Sequence, residues 1–421
     1  MTVRILSHGV TVSLAEQGFL SLSNFVTAIL LAKALSPHDF GLYTLANTTS
    51  LFLGGVCSAL VVTPVRILGA TTADAPKYFG NQFALSAAVV LVTMPLGAIL
   101  LTNLGLPLWS SAGLAWAAFF VLSQMQEFVR ARHATCLDWR HLLQTSAISG
   151  LGRIGSLAVL LALVSLSLAS AFAVSALSAG LAVVLGISHW LSGMHVKIEW
   201  TSWLKNWIFA KWLLLESLAY SLSTQLYFYI VAQHIDVGAA GGLGAVQTLV
   251  GTMNVVFFGA INYVAPLARR RLLNEGIIQW RKCLYHMAGL LTVFALLVTC
   301  VITFFAQDLL NFFFGQIYVS YAGIVPILGV AMILTAITSA FSVAFRTVEM
   351  PHVGFWGKCL SAVMTIALSI PLIQQMGVVG AAVGFVITQL SWIVVYVVEG
   401  WLRGYLTDDH IQKWLAGRTR Y

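Results

Sequence analysis

Apolar stretches of about 20 residues or more, cut by short polar gaps, run the length of this chain. They fall near 10–35, 40–64, 79–103, 107–132, 142–164, 167–190, 211–235, 239–265, 283–306, 318–344, 353–375 and 377–399. A stretch this long crosses a bilayer as a helix, because a helix bonds its own backbone groups. The pattern predicts an all-α polytopic membrane protein of about twelve transmembrane helices. Composition agrees. Hydrophobic residues make up 59% of the 421 positions and charged residues 9%, against about 25% charged in a soluble domain.

Charge then orients the spans. All but two of the 22 Lys and Arg residues lie in every second gap or at the termini, around Arg66–Lys77, Arg130–Arg140, Lys197–Lys211, Arg269–Lys282 and Arg346–Lys358. Such alternation marks the cytoplasmic side and places both termini there. The N-terminal stretch is expected to be an uncleaved first span, since Glu16 and Gln17 interrupt any signal-peptide core. The net charge of +8 resides in loops beside lipid headgroups, so membrane lipids are the expected partners and nucleic acid is not. Lys33 and Arg153 are the two exceptions. Lys33 lies at a span end, within snorkelling reach of the interface.

The midpoint of the chain differs from the other gaps. Trp200, Trp203 and Trp207 recur at helical spacing among charged and polar residues, as in a helix lying in the cytoplasmic interface. This predicts an N-terminal six-helix bundle (1–194), a linker helix (195–210), a C-terminal six-helix bundle (211–399) and a basic cytoplasmic tail (400–421). A weak repeat supports two halves: Glu16 and "SPHDFGLY" up to Pro64 correspond to Glu216 and "HIDVGAAGGLG" up to Pro266. Six spans separate the copies, so the repeat is parallel and a central cavity is expected between the bundles.

Polar residues on the spans indicate what faces that cavity. In the first span Glu16, Gln17, Ser21, Ser23, Asn24 and Thr27 share an arc of about 160°. Glu216, Tyr220, Ser223, Thr224, Tyr227 and His234 form a stripe on the seventh span; Gln247, Asn254 and Asn262, with Gly251, form one on the eighth. Lining a solvated path and gluing helices together are the alternative uses of such stripes. Arg153 is mid-span in "SAISGLGRIGS", on a face with Ser146, Ser149, Gly150 and Ser156. A central Arg costs at least about 2.5–3.5 kcal/mol on insertion scales, so it faces a cavity or a partner. It reads either as a fixed cation for an anionic group such as phosphate or as an ion pair with Glu16 or Glu127. The candidate substrate-binding residues are Arg153, Gln17, Asn24, Tyr220, Tyr227, Gln247 and Asn254. Glu16 and Glu216, carboxylates inside spans, are candidates for ion coupling. Glu127 and Arg130 read as an interfacial i, i+3 pair.

Other chemistry is not expected. The five cysteines have no CxxC or metal-ligand spacing. His189, His234, His286 and His352 are spread singly, so no metal site and no cofactor is expected. There is no Walker motif, and no gap is long enough for a catalytic domain, so the chain is not expected to be an enzyme.

Three segments resemble a known family. "NFVTAILLAKALSPHDFGLYTLANT" (Asn24–Thr48), "LLNFFFGQIYVSYAGIVPILGVAMILTAITSAFSVAFRTVEMP" (Leu309–Pro351) and "GVVGAAVGFVITQL" (Gly377–Leu390) are similar to polysaccharide transporters of the MOP exporter superfamily, the Wzx-like oligosaccharide flippases. The resemblance implies a MATE/MOP-like fold in the bacterial inner membrane. It also implies a flippase that moves a polyprenyl-pyrophosphate-linked oligosaccharide to the external leaflet for exopolysaccharide assembly. The coupling ion would be H+ or Na+, with a polymerase and glycosyltransferases as further partners. The lumen of the first half is less basic than that family suggests, since Arg153 stands almost alone in it. A MATE-type exporter of small amphiphilic molecules is the alternative on the same fold.

Overall fold

The computed structural model describes residues 2–69, 75–163, 166–190, 199–350, 352–402, 404 and 406–412, and it is all-helical. In the first half, α1 spans Thr2–Ala34. Helix α2 (Pro37–Cys57) runs through one wide turn, Ser58–Val62, into α3 (Thr63–Leu68). Then come α4 (Ala75–Thr102), α5 (Ser111–Thr135), α6 (Trp139–Leu163) and α7 (Leu168–Ser188). The second half has α8 (Trp200–His234), α9 (Val237–Val250), α10 (Met253–Asn274), α11 (Ile277–Phe304), α12 (Ala306–Phe313), α13 (Val325–Thr347), α14 (His352–Met376) and α15 (Val378–Val397).

Among the described residues, nine helices are long and apolar enough to cross a membrane, or ten if the bent pair α9–α10 counts as one span. Helices α5 and α8 occupy two more of the expected positions. Their polar residues, such as Gln124, Gln126 and Glu127 on α5, hold them below that apolarity. Large apolar residues are exposed in stripes, such as Leu91, Val92, Leu96 and Ile99 on α4 and Leu290, Val293, Leu297 and Val301 on α11. A helix facing lipid presents this surface.

Three elements differ from the sequence expectation. First, the interfacial segment and the seventh span form one uninterrupted helix, α8; residues 195–198 of the expected linker lie outside the described residues. Its first turns are fastened to α4. Glu199 pairs with Lys77 at 2.6 Å, Asn206 Nδ2 donates to Gln82 Oε1 at 2.5 Å and Trp203 Nε1 donates to the Asn81 carbonyl at 3.3 Å. Second, the eighth span is broken, with α9 and α10 meeting at 49° where Gly251 and Thr252 interrupt the apolar run. Third, the long gap near 307–318 contains α12 and a 3-10 segment, Gln316–Ile324. Of the basic tail, residues 400–402, 404 and 406–412 are described, and Arg281 holds it through Asp408 at 2.8 Å and the Leu406 carbonyl at 2.8 Å. Residues 403, 405 and 413–421 lie outside the described residues.

The helices form two compact units. One comprises Met1–Ser221 with Ile235–Gly244, the other Leu222–His234 with Ala245–Tyr421. In the first unit, "SPHD" starts α2 because Ser36 Oγ accepts from the Asp39 N–H at 3.1 Å and Pro37 has no N–H to lose. The start of α9 lies directly on α2. A Cβ on Gly41 would stand 2.0 Å from the Val237 carbonyl oxygen, and one on Gly244 would stand 2.6 Å from Thr44 Cγ2. Only glycine permits this approach. Gly41→Ala should therefore destabilise the protein by about 1–3 kcal/mol through overpacking. Thermal unfolding in detergent measures the loss, and an unchanged midpoint would contradict this packing.

Candidate functional site

The polar face of α1 divides into two rows. Glu16, Ser23 and Thr27 are seven and four residues apart and buried; Gln17, Ser21 and Asn24 form the neighbouring row, in which Gln17 and Asn24 are exposed. The spacing is that of adjacent ridges on one helix. The buried row packs on α5 and α6. Small residues make the approach possible: a Cβ on Gly150 would lie 2.6 Å from the Phe19 ring and 3.2 Å from Ser23 Oγ.

Two charged centres are on this seam. At the first, Arg130 Nε and Nη2 each donate to Glu16 Oε1 at 2.9 Å, and Ser146 Oγ donates to the same oxygen at 2.6 Å. Arg130 also pairs with Glu127. The Glu127–Arg130 pair expected from sequence is thus present, but it is not simply interfacial. Arg130 is buried, with 7% of its surface exposed, because it is the counter-ion of Glu16. Sequence reasoning missed that partnership, since nothing in local spacing links residues on α1 and α5.

At the second centre, Arg153 Nη2 donates to Asn24 Oδ1 at 2.6 Å and to Ser23 Oγ at 3.1 Å. Ser23 in turn donates to the Gly150 carbonyl at 3.3 Å. Arg153 is not paired with Glu16 or Glu127, which are both bonded to Arg130. Its Nε is covered and has no hydrogen-bond partner among the described residues. The Arg153 guanidinium therefore carries its charge against neutral groups and keeps donors unused. Ser149 Oγ, on the same helix, donates to Gln126 Oε1 at 3.0 Å and ties α6 to α5.

The other candidates are distributed more widely. Glu216 and Tyr220 are on α8 within the first unit, half-buried and exposed respectively. Tyr227 belongs to the second unit and is 1% exposed. Its ring fills the space over Gly384 and its hydroxyl meets Thr365 Oγ1 at 3.2 Å. Thr365 and Thr388 both donate to the Ser223 carbonyl, at 3.4 and 3.2 Å. This part of the α8 stripe therefore glues helices together rather than lining a path. Gln247 and Asn254 flank the α9–α10 bend in the second unit. The histidines are not all single. The His189 ring lies against that of His141, tilted by 40° with centroids 4.0 Å apart, and His141 and His133 share Asp138. The sequence reading passed over His133 and His141.

No family model and no curated protein matches the sequence. Solved structures do match in fold. An inward-facing multidrug resistance MATE family transporter of the MOP superfamily aligns with a TM-score of 0.74 over 94% of this chain and 96% of its own, at 14% identity. The lipid II flippase MurJ, in an inward closed conformation, aligns with a TM-score of 0.73 over 91% of this chain and 86% of its own, at 12% identity. A MOP superfamily transporter from Pyrococcus furiosus, described by a binding pocket of reversed polarity, gives 0.64 over 96% of each chain at 12% identity. The chain thus has a MATE/MOP-like fold.

Replacing Glu16 with Ala should leave Arg130 with only the partly exposed Glu127 and remove the acceptor of Ser146, and should cost about 1–3 kcal/mol. Glu127, with its side chain 42% exposed, should cost about 1 kcal/mol or less when replaced. Thermal unfolding of both variants checks this order, and equal losses would contradict it.

Proposed function

We propose that this protein is a flippase for a polyprenyl-pyrophosphate-linked oligosaccharide in the bacterial inner membrane, moving its cargo from the cytoplasmic to the external leaflet by alternating access of two halves. The observation that carries this reading is Arg153, a cation inside a span, oriented by Ser23 and Asn24 and without a carboxylate partner among the described residues. A guanidinium in that state supplies paired donors for phosphate oxygens. Asn24, bonded to Arg153, and Gln17, about two turns earlier on α1, are both exposed and would add hydrogen bonds to headgroup or sugar. Tyr220, Gln247 and Asn254 are further candidates for the glycan. The likeness in fold to a lipid II flippase supports a lipid-linked cargo.

Ion coupling is assigned to Glu16, with Glu216 as the second candidate and H+ or Na+ as the ion. Arg130 stands between Glu16 and Glu127. A proton taken up by Glu16 would leave Arg130 paired with Glu127, so the buried guanidinium is never without a counter-ion. Loading could therefore loosen α1 from α5 and α6 without abandoning a buried charge.

A second reading is export of small amphiphilic molecules, favoured by the likeness in fold to a multidrug MATE transporter. Proteoliposomes distinguish the two. A fluorescent polyprenyl-pyrophosphate-linked oligosaccharide should be translocated by the wild type and lost at least about tenfold in Arg153→Ala. Arg153→Lys, which keeps charge but not the planar fork, should be intermediate. If Arg153→Ala transports the lipid at the wild-type rate, the headgroup role fails. If only soluble amphiphiles move, the second reading replaces the first.

A further inference from the structure

At the ends of α5, α6 and α7, on the side of the Lys/Arg-rich gaps, two imidazoles converge on one carboxylate. His133 is in the last turn of α5, Asp138 in the connection and His141 in the first turn of α6. His133 Nδ1 lies 3.2 Å from Asp138 Oδ2, and His141 Nδ1 lies 2.7 and 2.8 Å from the two Asp138 oxygens. One ligand atom from each of the three residues falls within 4.8 Å of the others. Leu137, with φ +57°, turns the chain back so that Asp138 faces the helix it has just left. Such a left-handed residue other than glycine is costly and persists where the surroundings demand it.

Capping alone does not account for this arrangement. Asp138 Oδ1 receives the His141 N–H only at 3.4 Å, and the closer contacts come from the two rings. His133 is fully buried, so its ring cannot swing away. His141 is held on its other side by His189 from the end of α7, with the ring centroids 4.0 Å apart. The neighbouring cation, Arg132, is drawn off over the Trp190 ring at 4.6 Å. The result is a preorganised set of two imidazoles and one carboxylate. This donor set suits divalent first-row transition metals, zinc above all, and it leaves a coordination position for water.

We propose that His133, Asp138 and His141 form a Zn2+-binding site that fastens the ends of α5 and α6, with His189 orienting His141. These helices carry Arg130 and Arg153, so metal occupancy would stiffen the seam on which both charged centres are built. The site does not depend on which cargo is carried.

The test uses the full-length protein in detergent, with a purification tag free of histidine and after treatment with a chelator. Co2+ serves as the spectroscopic probe and Zn2+ as the stabilising ligand. The wild type should bind one Co2+ per chain with a visible ligand-field band, and Zn2+ should raise its unfolding midpoint. Asp138→Asn and His141→Gln should each weaken Co2+ binding about tenfold or more and abolish the Zn2+ shift. His286→Gln, on α11, should behave as the wild type. Melting in EDTA shows that the variants are folded, and either of the two ligand variants suffices. Absence of the Co2+ band in the wild type, or a Zn2+ response unchanged in the ligand variants, overturns the proposal.

Discussion

A charge placed inside an apolar helical bundle must be met by another group, and this requirement shapes the first unit. Glu16 and Arg130 are both nearly inaccessible, and either charge buried there without a partner would carry a desolvation penalty of several kcal/mol. They meet at 2.9 Å, with Ser146 completing the carboxylate's bonds. The pair fixes the register of α1 against α5 and α6. Once that register is set, Ser23 and Asn24 both lie about two turns further along α1, where they receive Arg153.

The two arginines illustrate different uses of one residue type. Arg130 is neutralised by two carboxylates, and its role is to hold helices in place. Arg153 is oriented by a hydroxyl and an amide, which position a guanidinium without cancelling its charge. A structural ion pair would not leave Nε covered and unused, as Arg153 does. The difference arises because Arg130 consumes both nearby carboxylates. Glycine and serine at the α1–α6 contact are part of the same design: a larger residue at Gly150 would separate α6 from Phe19 and Ser23 and carry Arg153 away from its supports.

Much of the fold was legible in the sequence, because in a bilayer apolar length alone specifies a crossing helix. What that reading did not show is where glycine overrides apolar length: Gly251 and Thr252 break a stretch that hydropathy reads as continuous. The site was legible in part. The positions of Glu16, Asn24 and Arg153 followed from their cost inside a span. Their partners did not, because Arg130 and Glu16 are 114 residues apart and no local periodicity links them. Tyr227 shows the converse error. A tyrosine on a polar stripe looks like a lining residue, yet its ring is needed over Gly384 and its hydroxyl is used by Thr365. His133, Asp138 and His141 escaped notice because their spacing matches no familiar metal motif; the left-handed Leu137 brings them together.

The central proposal is that Arg153, without a carboxylate partner among the described residues, receives a phosphate-bearing headgroup. Native mass spectrometry of the purified protein with polyprenyl pyrophosphate and with the uncharged polyprenol tests it most directly. The account predicts that the wild type retains the pyrophosphate lipid in preference to the alcohol, and that Arg153→Ala loses this preference while Glu127→Ala keeps it. Equal retention of the two lipids by the wild type, or an undiminished preference in Arg153→Ala, would contradict it.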